Sequence, residues 1–402
     1  MPGISLSEMT YNEALQYLFD ALPMFQRIGQ AAYKANLNNT LALDNYFQHP
    51  HNNFKTIHIA GTNGKGSVSH MLAAILQKAG YLTGLYTSPH LRDFRERIRV
   101  NGEMIPKRKI TEFVKKNKQI LDEVQPSFFE MTVALALLYF NSRKIDIAVI
   151  ETGMGGRLDS TNIITPVVSV ITNISYDHTQ YLGNSPALIA GEKAGIIKPF
   201  IPVVIGDWND ETKIVFKKAA EKNKAPLSFV GDHFQTDFSF LTPERMNILQ
   251  VKNKISETTE EYKTDLLGIY QQKNIPTALQ TINILRSTGI EIPENAIREG
   301  LEHVHNLTGF RGRWEEIGYN PLIICDTAHN TDGLSLAVQQ IKQISWKNLH
   351  FILGVVKDKD INAMLKILPP EAKYYFTRAS IPRAMEPEIL MAEAKKTGLK
   401  GE

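Results

Sequence analysis

From residue 56 onward the chain alternates short β-branched runs with stretches of helical periodicity, a pattern that predicts an α/β fold with a mainly parallel sheet. Thr56–Ala60, Tyr81–Tyr86, Ile145–Glu151, Val167–Asn173 and Ile201–Asp207 are short, apolar and bounded by turns or polar clusters, and each reads as a strand. Between the first two, Val68, Met71, Leu72, Ile75, Leu76 and Ala79 recur at i, i+3, i+4, i+7 spacing, and Gly80 closes the run as a helix terminus. From about residue 226 to 267 the runs shorten, as in Pro226–Val230 and Met246–Val251, which predicts antiparallel hairpins added to that sheet.

A helix from about Asn274 to Thr288 follows. Pro293, Gly309, Gly312 and Gly318 then punctuate the chain before a second α/β alternation: Leu322–Cys325, a helix near 331–343, Phe351–Val356, a helix, and Tyr374–Phe376. A domain boundary therefore falls near residues 306–312, giving domains of 1–307 and 308–402. The second domain runs out at Glu402 straight after a helix-like stretch, MAEAKKTGLKGE, and reads as cut short.

Composition narrows the function classes. The 402 residues carry 45 Lys+Arg against 42 Asp+Glu, a net charge of +3 without a dense basic patch, so neither nucleic acid nor an anionic membrane is an expected partner. A small anionic ligand stays open. The single cysteine, Cys325, excludes a disulfide framework, a CxxC redox pair and a multi-thiolate zinc site, and points to a reducing compartment. The amino terminus lacks a signal-peptide pattern, and the longest apolar block, Met131–Phe140, spans ten positions where a bilayer crossing takes about 20. The expected location is cytoplasmic.

Three segments carry the chemistry. Gly61-Thr62-Asn63-Gly64-Lys65-Gly66-Ser67 sits where a strand ends and a helix begins, the context in which backbone N–H groups, a helix N-terminus and a lysine surround phosphate oxygens. Its spacing departs from GxxxxGK[ST], since two residues separate Gly61 from Gly64 and Gly66 precedes Ser67. Glu151, opening ETGMGGRLD, falls at the carboxyl end of a parallel strand, where a carboxylate could hold a nucleotide's Mg²⁺ or simply cap a turn. Asp177-His178 follows another strand, where a lone histidine by itself is a structural hydrogen-bonding group. Lys193 in EKAGIIK reads alone as an ion-paired helix lysine. Arg311-Gly312-Arg313 and Asp326-Thr327-Ala328-His329-Asn330 could lend a cation and polar groups to a ligand held between domains, or form a surface basic pair and a polar turn. Physics alone reaches an ATP–magnesium enzyme with an unknown acceptor.

The motifs GTNGKGS at Gly61–Ser67, SPHL at Ser88–Leu91, ETGMGGRLDSTN at Glu151–Asn162, DHTQYLG at Asp177–Gly183 and EKAGIIK at Glu192–Lys198 together resemble the folylpolyglutamate synthase and dihydrofolate synthase branch of the Mur ligase superfamily, in order and spacing. The resemblance implies a P-loop ATPase domain, a smaller Rossmann-like C-terminal α/β domain, and a monomeric ligase that joins L-glutamate to a folate or to dihydropteroate through an acyl phosphate. It implies that Gly61, Thr62, Asn63, Gly64, Lys65, Gly66 and Ser67 hold the ATP phosphates, and that Ser88, Glu151 and His178 bind one Mg²⁺. It further implies that Lys193 is carbamylated and serves a second Mg²⁺. Asn274, Arg313 and Asp326 match residues that contact ATP, His329 one near the incoming glutamate, and Phe129 and Asp159 positions lining the pterin site.

Met154, Ser160 and Phe310-Arg311 depart mildly from the family's usual residues, and the chain stops before a C-terminal Gly-Ser region that the resemblance implies near the glutamate site. A cell-wall Mur ligase needs a further N-terminal domain, whereas 60 residues precede Gly61, and a GTPase needs an NKxD signature that is missing. A non-catalytic nucleotide-binding homologue is the remaining alternative.

Overall fold

The computed structural model describes residues 9–20 and 36–402, so the reading of the first eight residues lies outside it. Two compact units divide at Arg311–Gly312. In the first, β1 (Lys55–Ala60), β2 (Thr83–Tyr86), β3 (Ile98–Val100), β4 (Glu103–Met104), β5 (Ile147–Glu151), β6 (Val168–Ile171), β7 (Val203–Ile205) and β8 (Leu227–Phe229) form one sheet in the order β4-β3-β2-β5-β1-β6-β7-β8. The run from β2 to β8 is parallel, and β3 and β4 add an antiparallel edge that the hydrophobic pattern did not announce.

Strand alternation divides the sheet between two cores. Ile57, Ile59, Val168, Val170 and Val204 face one, with the helices Lys65–Lys78, Gln271–Ser287 and Glu294–Glu302, while Ala60, Ile171, Val203 and Ile205 face the other, with Pro186–Ala194 and Asp210–Asn223. Helix Lys65–Lys78 is buried from Ser67 to Leu76, because the sheet covers one side and the helices Gln271–Ser287 and Glu294–Glu302 cover others. Truncating one of its fully buried leucines, such as Leu72→Ala, would cost about 2–5 kcal/mol. The Gly61–Ser67 segment thus leads into a helix buried over ten consecutive residues.

Two expectations are corrected. The run at Pro226–Val230 opens no hairpin; it forms β8, paired parallel with β7 after the crossover helix Asp210–Asn223. The later alternating runs build their own antiparallel sheet from β9 (Phe234–Leu241), β10 (Asn247–Asn253) and β11 (Thr259–Thr264), separate from the main one. Short alternation identifies strands but not the partner they pair with.

In the second unit, β12 (Glu315–Tyr319) pairs antiparallel with β13 (Leu322–Cys325). β14 (His350–Leu353), β15 (Lys373–Phe376) and β16 (Lys400–Gly401) form a parallel sheet around a core of Leu334, Val338, Leu365, Tyr374, Leu390 and Ala394. The C-terminal stretch is corrected as well: its helix, Pro387–Lys396, ends before Gly398, whose φ of +83° turns the chain into β16. Among the described residues no helix is long and apolar enough to cross a membrane.

Candidate active site

The loop after β1 is shaped by its neighbours. Gly61 lies so close to β6 that a Cβ there would come within 1.9 Å of Thr172 Oγ1, and Gly64, at φ +83°, would press one to 2.4 Å from Asn274 Oδ1. Gly64 caps the helix Lys65–Lys78, whose N-terminus opens into this turn. The chain beyond β6 holds the loop: Thr62 N donates to Asn173 O at 3.0 Å, Asn63 N to Asn173 Oδ1 at 2.7 Å, and Thr172 Oγ1 to Asn63 O at 2.6 Å. Ser175 N donates to Thr62 Oγ1 at 3.1 Å. Gln271 Nε2 reaches Ser67 Oγ at 3.5 Å, and Gln271 Oε1 accepts from Asn274 Nδ2 at 2.8 Å, so Asn274 stands against the loop. Thr172, Asn173, Ser175 and Gln271 were not singled out in the sequence, because the first three reach the loop only through the β1–β6 pairing and Gln271 only through its helix packing on Lys65–Lys78.

Lys65 is half-buried and curls back, donating from Nζ to Gly61 O at 2.9 Å and Thr62 O at 3.1 Å. Lys193, in the helix Pro186–Ala194, is buried and donates to that same Gly61 carbonyl at 2.8 Å. The expected helix ion pair belongs to its neighbour instead: Glu192 pairs with Arg157 at 2.9 Å. Burial, with the Lys65 charge beside it, pushes the Lys193 amine down to about 7. An amine at that value is substantially uncharged near neutrality, which is the form that adds carbon dioxide.

The ETGMGGRLD segment packs onto the Lys193 helix. Arg157 N donates to Glu192 O at 2.8 Å, and a Cβ on Gly156 would meet the Glu192 and Lys193 carbonyls at 2.9 Å. Glu151 is paired in register with Ile59, just before the loop Gly61–Ser67, and its buried carboxylate accepts from Ser88 N at 3.1 Å, so Ser88 and Glu151 come together. A buried oxygen donor at this strand end suits Mg²⁺, which prefers hard oxygen ligands. His178 has φ +50° and lies beside Asp177, its Nε2 3.9 Å from Asp177 Oδ2.

Asp159 is buried with its carboxylate turned to the backbone: Oδ2 accepts from Gly153 N at 2.8 Å and Met154 N at 2.9 Å, and Oδ1 from Thr161 N at 2.9 Å and Thr161 Oγ1 at 2.5 Å. Burial raises its carboxyl above the ordinary range despite these donors. Asp159 therefore shapes the glycine turn over which Phe129 lies, the Phe129 ring being 2.5 Å from where a Gly153 Cβ would stand. In the second unit Asp326 binds backbone too, accepting from Trp314 N at 2.8 Å and Ala328 N at 2.7 Å. Arg313 Nη1 donates to Gly312 O at 3.0 Å, and the exposed His329 places Nδ1 3.0 Å from Thr327 O.

Residues 59–282 match the Mur ligase middle domain and residues 312–402 the Mur ligase, glutamate ligase domain. The chain is 36% identical over 367 residues to the folylpolyglutamate synthase of Lacticaseibacillus casei, covering 89% of this chain and 82% of that protein. It is 35% identical over 356 residues to the dihydrofolate synthase/folylpolyglutamate synthase of Bacillus subtilis, covering 84% and 79%. It spans only 44% of a probable bifunctional folylpolyglutamate synthase/dihydropteroate synthase of Haloferax volcanii, at 34% identity over 95% of this chain. A solved folylpolyglutamate synthase complex with AMPPCP and folate superposes with a TM-score of 0.82 at 31% identity, covering 98% of this chain and 96% of that one. A Mycobacterium tuberculosis folylpolyglutamate synthase complexed with ADP gives 0.85 at 28%, covering 98% and 88%.

Proposed function

Since the chain belongs to the folylpolyglutamate synthase and dihydrofolate synthase family of Mur ligases, which are ATP-dependent ligases, we propose that it joins L-glutamate to a folate, to dihydropteroate, or to both, as a cytoplasmic monomer. The observation that carries this reading is the loop Gly61–Ser67, set between β1 and a buried helix, with Lys65 and Lys193 gathered on it.

In this reading the loop amides and Lys65 receive the β- and γ-phosphates, and Lys65 exchanges its bonds to the Gly61 and Thr62 carbonyls for phosphate oxygens. Ser88, Glu151 and His178 would hold one Mg²⁺, and Lys193 as its carbamate a second; bound there, the ions would screen the anionic γ-phosphate from the anionic acceptor. The acceptor's carboxylate oxygen attacks the γ-phosphorus and ADP leaves, giving an acyl phosphate. The glutamate amine then attacks the acyl carbon, loses a proton, and expels inorganic phosphate. Asn274, Arg313 and Asp326 would contact the nucleotide, and His329 would serve the incoming glutamate. Phe129 and Asp159 line the pterin site, Asp159 by fixing the Gly153–Met154 turn.

The test is product analysis with ATP, Mg²⁺ and isotopically labelled L-glutamate, offering dihydropteroate and a reduced folate side by side. A labelled product one glutamyl residue heavier than either acceptor is expected. No labelled product from either would refute the assignment.

A further inference from the structure

We propose that Asp44, His49 and His51 form a binding site for a borderline divalent transition ion of the zinc class, with one carboxylate oxygen and two imidazole nitrogens as ligands. Asp44 lies in the helix Asn38–Tyr46, and His51 in the short turn Pro50–Asn53 that follows. His49 N donates to Asp44 O at 2.9 Å, closing the chain back on the helix. Asp44 Oδ2 is 2.6 Å from His49 Nδ1 and 3.3 Å from His51 Nε2, and the three donor atoms lie within 4.8 Å of one another.

Charge is the second observation. The Asp44 side chain is 6% exposed, and its Oδ1 is sealed from solvent without a hydrogen-bond partner. Among the described residues no lysine or arginine pairs with it; the groups acting on it are the two imidazoles. A buried carboxylate is costly unless a cation faces it, and the two imidazoles hold the Asp44 carboxyl below its usual range against the cost of burial. A divalent ion supplies the charge and uses all three donors.

The ligand set selects the metal. Two nitrogens and one carboxylate suit zinc, nickel or copper, whereas Mg²⁺ and Ca²⁺ take oxygen shells. Donors bound at about 2.0–2.2 Å to one tetrahedral ion stand about 3.3 Å apart, the separation His51 already has. His49 must draw back slightly, and its side chain, 48% exposed, has solvent to move into. The fourth position opens to water on that side. Lys55, the first residue of β1, follows His51 by four positions, so the ion would staple the helix Asn38–Tyr46 to the segment feeding the phosphate loop.

The test titrates the full chain with Co²⁺ in the absence of Mg²⁺ and nucleotide, and then adds Zn²⁺. One Co²⁺ per chain with visible ligand-field absorption, displaced by Zn²⁺, is expected. The spectrum should persist in Glu151→Gln and weaken at least tenfold in affinity in His51→Gln and in His49→Ala, the latter removing a half-exposed side chain with little risk to folding. A wild-type protein without this spectrum would overturn the proposal. So would unchanged affinity in His49→Ala, or a signal lost in Glu151→Gln, which would move the ion to the nucleotide site.

Discussion

Lys65 and Lys193 converge on one acceptor, the Gly61 carbonyl, at 2.9 and 2.8 Å. Burial, with the Lys65 ammonium beside it, pushes the Lys193 amine down to about 7. The arrangement ties the loop Gly61–Ser67 to the helix Pro186–Ala194 and leaves an amine of lowered basicity beside it.

A stability measurement reads this directly. The folded Lys193 amine titrates at about 7, against the unfolded value of about 10.4. Between those values the unfolded chain holds a proton that the folded chain lacks, so stability rises with pH across that window and the full cost is felt below it. In carbon-dioxide-free buffer, Lys193→Met should be more stable than wild type at pH 7. Its advantage should shrink by up to about 1.4 kcal/mol per pH unit as the pH approaches 10. Urea denaturation at each pH is the check, and parallel curves would contradict the account.

Gly64→Ala should lose nucleotide affinity and cost about 1–2 kcal/mol of stability, because an L-residue at φ +83° is strained. It would also meet Asn274 Oδ1 at 2.4 Å. Adding Asn274→Ala removes that collision but not the strain, so the double variant should recover part of the stability and none of the nucleotide affinity. Denaturation and nucleotide titration, taken together, separate the two effects.

Replacing Glu151 with Gln keeps its shape and its bond from Ser88 N but removes the charge. The Mg²⁺ concentration for half-maximal turnover should rise at least tenfold, with a similar rise for His178→Asn. An unchanged metal dependence in both would leave them as structural residues.

Asp265 gives a pH effect of opposite sign. Burial lifts its carboxyl to about 7, although it accepts from His305 N at 2.9 Å. Between about pH 4 and 7 the folded chain holds a proton that the unfolded chain releases, so its contribution to stability falls as pH rises. Asp265→Asn should flatten that part of the profile and gain most above pH 7, as thermal melts across pH 4 to 8 would show.

The parts of this site that were legible in the sequence are local. Glycine spacing, Lys65 and the stripe from Val68 to Ala79 announce a strand, loop and helix within twenty-five residues, and the structure places β1 and the helix Lys65–Lys78 there. Glu151 was legible because a carboxylate ending an apolar strand is unusual. Thr172 and Asn173 were not, since their role depends on β6 lying beside β1, and strand order is a non-local property. Lys193 shows the same limit: nothing in EKAGIIK says that its amine reaches Gly61, 132 positions earlier. The misread hairpin at Pro226–Val230 fails for the related reason that a short apolar run does not name its partner strand.

Inorganic phosphate release tests the central claim most directly, measured with ATP and Mg²⁺ and with the pteroyl acceptor and L-glutamate added singly and together. The account predicts sustained release, one phosphate per glutamyl product, only when both are present. In Lys65→Ala this release should fall more than tenfold, a loss above about 1.4 kcal/mol of transition-state stabilisation, with the fold retained. Release that is unaffected by acceptor and glutamate, or absent under every combination while nucleotide still binds, would contradict the ligase and leave a nucleotide-binding protein in its place.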